Sequence, residues 1–361
     1  MIIDGHMHIL TGKPGREYLP ARYRWILSMM WAYGGGPPYE RNPKDFFEKV
    51  EQRISDPTGE YTIKTLDSAG MDAAVLIPTD YGLAMGDDQP MPIDEMHQHL
   101  GELQKKYPGR MFGFAGQDAR RPGSLQIFER AVQEYGLKGL KILPHYGYYA
   151  SDRILFPFYE RADNWNIPVA ICTNMEWATT PTRFNDPIHV GEVVNNFPDM
   201  NVILFHTGFP VEAWFEESLM LAVAALNMYL LFDAWVYPAF PPLTRGYANI
   251  LNDEEAVIKK IARARDVVGA HRILFGTDNN CGPSAFGDKL YGGRGMKWIV
   301  EWWQDLPARG KKYGITFTPA EVELMMGDNL ARLLGICDPP EHRREFKYGW
   351  QYRTPGPRPA P

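Results

Sequence analysis

Eight short apolar runs recur along the chain, and their spacing limits the folds open to it. They are Ile2–His6, Ala73–Ile77, Met111–Gly116, Gly139–Leu143, Val169–Thr173, Val202–His206, Leu230–Ala234 and Ile273–Thr277. Amphipathic stretches lie between most of them, among them Ser124–Tyr135, Phe156–Trp165, Asp186–Phe197 and Glu254–Val267. Strands that alternate with helices build a parallel sheet covered by helices. Eight such units predict an α/β fold of the closed (β/α)8 TIM-barrel type rather than an open doubly wound sheet. A chain of 361 residues suits one such barrel with extra loops. The barrel is expected over residues 1–335. Residues 336–361 form a tail rich in Pro and Arg, expected to lie on the surface or to reach a partner subunit.

Several function classes lose support on composition alone. A net charge of −6 leaves no basic footprint for nucleic acid or an anionic membrane. No Gly-x-Gly-x-x-Gly follows the first strand and no Gly-Lys-Ser/Thr loop occurs. The run Gly34-Gly35-Gly36-Pro37-Pro38 lacks the Lys-Ser/Thr of a phosphate cradle. Cys172, Cys281 and Cys337 are few, odd in number and widely spaced, which argues against a disulfide framework and for a reducing cytoplasm. The N-terminus has neither the basic nor the long apolar region of a signal peptide. Leu219 to Phe240 is rich in apolar residues, but Asn227, Asp233 and Pro238 interrupt it. It reads as the end of a helix followed by a buried strand, not a membrane span.

A long insertion, Leu10 to Pro43, follows the first strand and carries Tyr18, Tyr23, Trp25, Trp31, Tyr33 and Tyr39. Loops after strands build the active face of a barrel. The insertion is therefore either a pocket wall, with Trp31 against substrate, or aromatic packing under a loop or in a subunit interface. Within the first strand, His6 and His8 flank Met7. Strand residues two apart share a face, so both imidazoles can meet one metal at the barrel mouth.

The sequence Asp4-Gly5-His6-Met7-His8 resembles the His-x-His opening of the amidohydrolase superfamily. Later segments resemble its landmarks in order: Lys138–Ile142 its fourth strand, Asn201–Gly208 its sixth, which ends in a histidine, and Arg272–Asp278 its eighth, which ends in an aspartate. Gly327–Gly335 is similar to the closing helix of the amidohydrolase-related branch, which includes aminocarboxymuconate-semialdehyde decarboxylase. The resemblance runs from Met1 to about Gly335. It implies a divalent metal, Zn, Mn or Fe, one or two per chain, with His6, His8, His206 and Asp278 as ligands. It further implies Asp278 and His206 as catalytic groups. One departure stands out. The fifth strand of such proteins usually ends in a histidine, whereas here it runs into Cys172-Thr173-Asn174. Cys172 can bind a metal as thiolate or serve as a small apolar filler. His145, after the fourth strand, can supply the lost ligand, contact substrate or be a plain loop residue.

Weaker candidates complete the set. Asp80, after the second strand, and Tyr146, beside His145, are candidate substrate contacts. Lys141 is either a modified metal bridge, as in two-metal relatives, or a plain buried lysine with a carboxylate partner. His97 and His99 repeat the spacing of His6 and His8 on a helix, where residues two apart diverge, and are expected at the surface. Glu216 and Glu217 are expected to be solvated. The leading activity is metal-assisted hydrolysis of a small molecule. The alternatives are non-oxidative decarboxylation of a small carboxylic acid, and iron or manganese oxygenase chemistry, alone or in a hetero-complex. A barrel-shaped partner without chemistry is the non-enzymatic reading. A homodimer, or a hetero-oligomer with a related barrel subunit, is expected.

Overall fold

A computed structural model describes residues 1–10, 16, 18–34, 42–44, 47, 54–176, 180–236, 253–283 and 295–337, together with 345–346 and 350–351. Side chains at 30–34, at 295 and beyond 337 lie outside the description, so the expectations for Trp31 and for most of the tail fall there. The strands are β1 (Ile3–His8), β2 (Ala73–Ile77), β3 (Met111–Ala115), β4 (Gly139–Ile142), β5 (Val169–Cys172), β6 (Val202–Phe205), β7 (Met228–Phe232), β8 (Ile273–Phe275) and β9 (Asn279–Asn280). They form one sheet in the order β8-β7-β6-β5-β4-β3-β2-β1-β9, parallel throughout. Only three residues separate β8 from β9 in the chain. One broken last strand therefore pairs with β7 on one side and with β1 on the other, which closes the TIM barrel.

Alternation sorts the strand side chains into two cores. Leu140, Ile142, Leu204, Leu230 and Phe275 face the helices. Val75, Ile77, Phe114, Ile203, Phe205, Leu231 and Leu274 fill the barrel, where Leu330, Ala331 and Leu333 of the last helix join them. That helix seals the end at which the strands begin. Asn329 Nδ2 donates to Ala270 O and Ile273 O, each at 2.8 Å, ahead of and within β8. The opposite end, where the strands finish, is the open mouth.

The seam between β1 and β8 is tight because glycine lines it. A Cβ on Gly5 would stand 2.9 Å from Phe275 O, and one on Gly276 3.3 Å from the Cβ of His6. Asp4 stitches the seam. Its carboxylate accepts from Thr277 N at 3.0 Å and from Thr277 Oγ1 at 2.5 Å. Burial raises this carboxyl to about 7, although the bonds from Thr277 and His6 pull it down.

Two strands, β1 and β7, shift along the chain, and every other expected strand but β2 ends one or two residues short of its apolar run. β1 continues through His8 because its irregular pairing with β2, between Asp4 and Met7, absorbs one residue and lets the strand run on. β7 starts at Met228, since Met228 and Tyr229 pair with Val202 and Ile203. The apolar stretch after Leu219 is the end of the helix Glu212–Ala224 followed by β7, as the sequence implies. Among the described residues no helix is long and apolar enough to cross a membrane.

One surface expectation is overturned. His97 and His99 lie on the helix Ile93–Lys106, and both are buried. They do diverge, but each direction is covered. His97 Nε2 accepts from Gly116 N at 3.0 Å, after β3. His99 meets the Tyr18 hydroxyl at 2.5 Å and Pro57 O at 2.8 Å, under the insertion that follows β1.

Candidate metal centre at the barrel mouth

His6 and His8 present their rings at the end of β1, and their Nε2 atoms stand 2.9 Å apart. Asp278 Oδ1 completes a triangle, 3.3 Å from His6 Nε2 and 3.2 Å from His8 Nε2. The other nitrogens fix what these atoms carry. Ile77 O, 3.3 Å from His8 Nδ1, can only accept, so Nδ1 holds the proton and Nε2 a lone pair. Asp233 Oδ2 accepts from His6 Nδ1 at 2.7 Å, to the same effect. Burial holds the His6 imidazole well below its ordinary pKa despite the pull of Asp278, so this ring is neutral. Two lone pairs and a carboxylate oxygen thus converge, an arrangement that repels itself unless a cation lies between them. Ligand atoms on one metal at 2.0–2.2 Å stand about 3.0 Å apart at octahedral corners and about 3.4 Å apart at tetrahedral ones. The triangle falls in that range, so the donor set fits a divalent cation.

His206 comes from the residue after β6. Its Nδ1 donates to Asp233 Oδ1 at 2.9 Å, and its Nε2 is 3.4 Å from Cys172 Sγ. Burial by itself would lower this imidazole, but Asp233 outweighs it and lifts the pKa well above the ordinary value. The ligating atoms of His6, His206 and Asp278 lie within 4.8 Å of one another. Asp278, with a side chain about one-third exposed, faces the mouth, and the three histidines hold its carboxyl below the usual range against the opposing effect of burial. His206, Thr207 and Asp278 all adopt left-handed backbone, φ +67°, +45° and +52°. For residues other than glycine such conformations cost roughly 1–3 kcal/mol each and persist where the surroundings dictate them, often at functional sites.

Asp233 was missed by the sequence reading as a site residue, although its position carries a signal. It continues the inward series Tyr229, Leu231, Asp233 and so arrives at the mouth after an apolar strand. One carboxylate anchors the rings of both His6 and His206. Asp233→Asn would leave one ring facing an amide N–H, donor against donor. Its expected effect is a cation affinity lowered about 10- to 100-fold, measured by competition with a chelator, in a protein that still folds.

The remaining candidates divide. His145 joins the site. It is buried against Asn185 and lies with Cys172 and Glu176 in a second group whose ligating atoms are all within 4.8 Å. Glu176 and Asn185 come from the segment after β5 and had no signal in the sequence. Asp80 and Tyr146 instead meet each other: Asp80 N donates to the Tyr146 hydroxyl at 2.5 Å. The buried Asp80 carboxylate accepts from Arg121 Nε at 2.6 Å, Gln89 Nε2 at 2.9 Å and Asp118 N at 2.9 Å. It is taken up by the framework under the mouth, because an isolated buried charge requires such pairing. Lys141 is buried with Nζ 3.4 Å from the centre of the Phe205 ring, and it has no hydrogen-bond partner among the described residues. Glu216 pairs with Arg263 at the surface. In the insertion, Tyr18 packs inward, whereas Tyr23 stacks on Tyr81 with ring centres 4.3 Å apart. Burial, with the charges of Glu176 and Asp278, raises the Tyr23 phenol.

The amidohydrolase family model matches residues 3–336. The chain belongs to that family. Amidohydrolases are enzymes, and the barrel-shaped partner without chemistry is thereby set aside. The family is generally metal-dependent, in keeping with the ligand groups at the mouth. Solved structures similar in fold include an uncharacterized TIM-barrel protein from Bordetella bronchiseptica, 18% identical with a TM-score of 0.62, covering 93% of this chain and 98% of that one. A 2,6-dihydroxybenzoate decarboxylase in complex with 2,6-dihydroxybenzoate is 14% identical, with a TM-score of 0.57 and coverage of 92% and 98%. The 4-oxalomesaconate hydratase from Rhodopseudomonas palustris is 17% identical, with a TM-score of 0.55 and coverage of 93% and 96%. At these identities the likeness is one of fold. Comparison with curated proteins gave no match.

Proposed function

We propose that this amidohydrolase is a metal-dependent hydrolase of a small organic substrate, with His6, His8 and Asp278 holding the cation and Asp278 and His206 moving protons. The observation that carries the reading is the triangle of His6 Nε2, His8 Nε2 and Asp278 Oδ1, three electron-rich atoms 2.9–3.3 Å apart. A bound divalent cation supplies Lewis acidity, lowering the pKa of water from about 16 toward 7 and polarising a substrate oxygen. Zn, Mn and Fe all accept such a mixed nitrogen and oxygen set. Asp278, open to the mouth, is placed to take a proton from the attacking water and return it to the leaving atom. His206, kept cationic by Asp233, donates from Nε2 to the oxygen on which negative charge develops. Asp233 orients both rings, one through each carboxylate oxygen.

Within the family, the motifs at Asp4–His8, Arg272–Asp278 and Gly327–Gly335 support the amidohydrolase-related branch that includes aminocarboxymuconate-semialdehyde decarboxylase. Cys172 ends β5, where that branch usually carries a histidine. The stacked Tyr23 and Tyr81 rings favour a second reading, decarboxylation of a flat carboxylic acid. The fold of 2,6-dihydroxybenzoate decarboxylase is compatible with it. There Asp278, after taking up a proton, or a histidine would protonate the carbon that loses carbon dioxide.

Product analysis in labelled solvent tests the two. A panel of lactones, amides and aromatic carboxylates, incubated with the metal-loaded enzyme in 18O-water, is expected to give an acid carrying solvent oxygen. Release of carbon dioxide with solvent deuterium on carbon selects the second reading. Consumption of dioxygen with neither label would overturn both.

A further inference from the structure

We propose a second cation position beside the first, built from Cys172, His145 and Glu176, and made selective for thiophilic metals by the Cys172 sulfur. The three side chains come from different segments: the end of β5, the turn after β4 and the segment after β5. Their ligating atoms lie within 4.8 Å of one another. Ligands on one tetrahedral cation with bonds of 2.0–2.3 Å are about 3.3–3.8 Å apart, so closure on an ion needs the farthest pair to draw together by up to about 1 Å. His145 and Cys172 are buried and Glu176 nearly so, with 11% of its side chain exposed. A solvated acidic patch has no such enclosure.

Two further observations point to the sulfur as ligand. Cys172 Sγ stands 3.4 Å from His206 Nε2. His206 therefore borders the position, with its Nε2 within hydrogen-bond reach of the sulfur. Lys141 is 1% exposed, and its Nζ has no hydrogen-bond partner among the described residues. Burial lowers the Lys141 ammonium below its ordinary value, and Cys172 is foremost among the groups that oppose this. The Cys172 sulfur thus neighbours both the Lys141 side chain and the ligating atoms of His145 and Glu176. Soft thiolate ligation selects Zn or Fe over Mg or Ca.

This position does not depend on the first, and the test separates them. Cobalt(II) is titrated into metal-free protein, with absorbance in the near ultraviolet reporting thiolate-to-cobalt charge transfer and elemental analysis reporting stoichiometry. Wild type is expected to take two equivalents, one with the charge-transfer band. The variant with His6→Ala and His8→Ala should keep one equivalent and the band. Cys172→Ala should lose the band and one equivalent, and Glu176→Gln should keep the band but weaken that equivalent about tenfold or more. In wild type, saturating Zn should slow alkylation of Cys172 at least about tenfold while the exposed Cys337 reacts unchanged, a readout that needs no variant to fold. Saturation of wild type without the band, a band undiminished in Cys172→Ala, or alkylation of Cys172 indifferent to Zn would each overturn the proposal. Loss of the first equivalent alone in the His6 and His8 variant leaves it standing and bears only on the proposed hydrolase.

Discussion

Replacing His6 and His8 together by alanine is expected to lower turnover about a thousandfold or more and to reduce the cation dependence of melting. Lewis-acid assistance is worth several kcal/mol at the transition state, and each 1.4 kcal/mol is a factor of ten. Both ligands come from β1, so the pair removes one whole side of the triangle. Stability changes in a less obvious way. In wild type a cation at 100 to 1000 times its dissociation constant adds about 3–4 kcal/mol, because it binds the folded chain only. Without it, the lone pairs of His6 and His8 and the Asp278 carboxylate are left in mutual repulsion. The double variant lacks both the gain and the repulsion. Differential scanning fluorimetry with and without Zn should therefore show a smaller shift in the variant than in wild type, the remainder belonging to the Cys172 position. A variant with an unchanged shift would move the cation elsewhere and remove the basis of the proposed function.

His97 carries the second large effect, in the response to acid. Its ring is buried between its helix and the end of β3, with Nε2 accepting from Gly116 N. Burial, with a smaller contribution from Arg130, lowers its pKa from 6.5 to about 3. The unfolded chain therefore binds a proton through this range while the folded chain does not. Stability from the neutral ring is full above pH 6.5 and falls as the pH drops toward 3, with a slope of about 1.4 kcal/mol per pH unit. By pH 4.5 the loss is about 3 kcal/mol, a large part of a typical folding free energy. His97→Gln, whose amide oxygen can still accept from Gly116 N, should be less stable at pH 8 but lose less between pH 6.5 and 4.5. Urea titrations at four pH values measure the difference, and parallel slopes for the two proteins would show that His97 does not govern it.

The barrel was legible in the sequence because strand and helix periodicities differ and each strand had to be apolar. The ends of strands were less so, since Met228 and Tyr229 read equally well as loop. His6, His8, His206 and Asp278 were legible because each follows a recognisable strand, and the structure brings all four to one mouth. Asp233 could have been found by extending the alternation of β7 one step. Glu176 and Asn185 could not, because their approach to His145 depends on the course of the segment after β5. The same limit explains Asp80. A carboxylate after β2 could face the mouth or sink beneath it, and that choice is made by Arg121, 41 positions further along. For His97 and His99, helical geometry gave the right divergence, but what covered each side was set by distant segments.

The broken last strand gives the site a history as well as a shape. Asp4 and Thr277, which join across the seam, are 273 positions apart in the chain. His6 and His8 emerge first from the ribosome, and Asp278 follows only after nearly the whole barrel. At about 5–20 residues per second, the opening histidines wait tens of seconds for their carboxylate partner. Ring closure and assembly of the ligand triangle are consequently one event, late in synthesis. A truncated chain lacking β8 and β9 has no triangle with which to hold an ion. Cation binding at the triangle therefore reports completion: only a finished, closed ring can be loaded there.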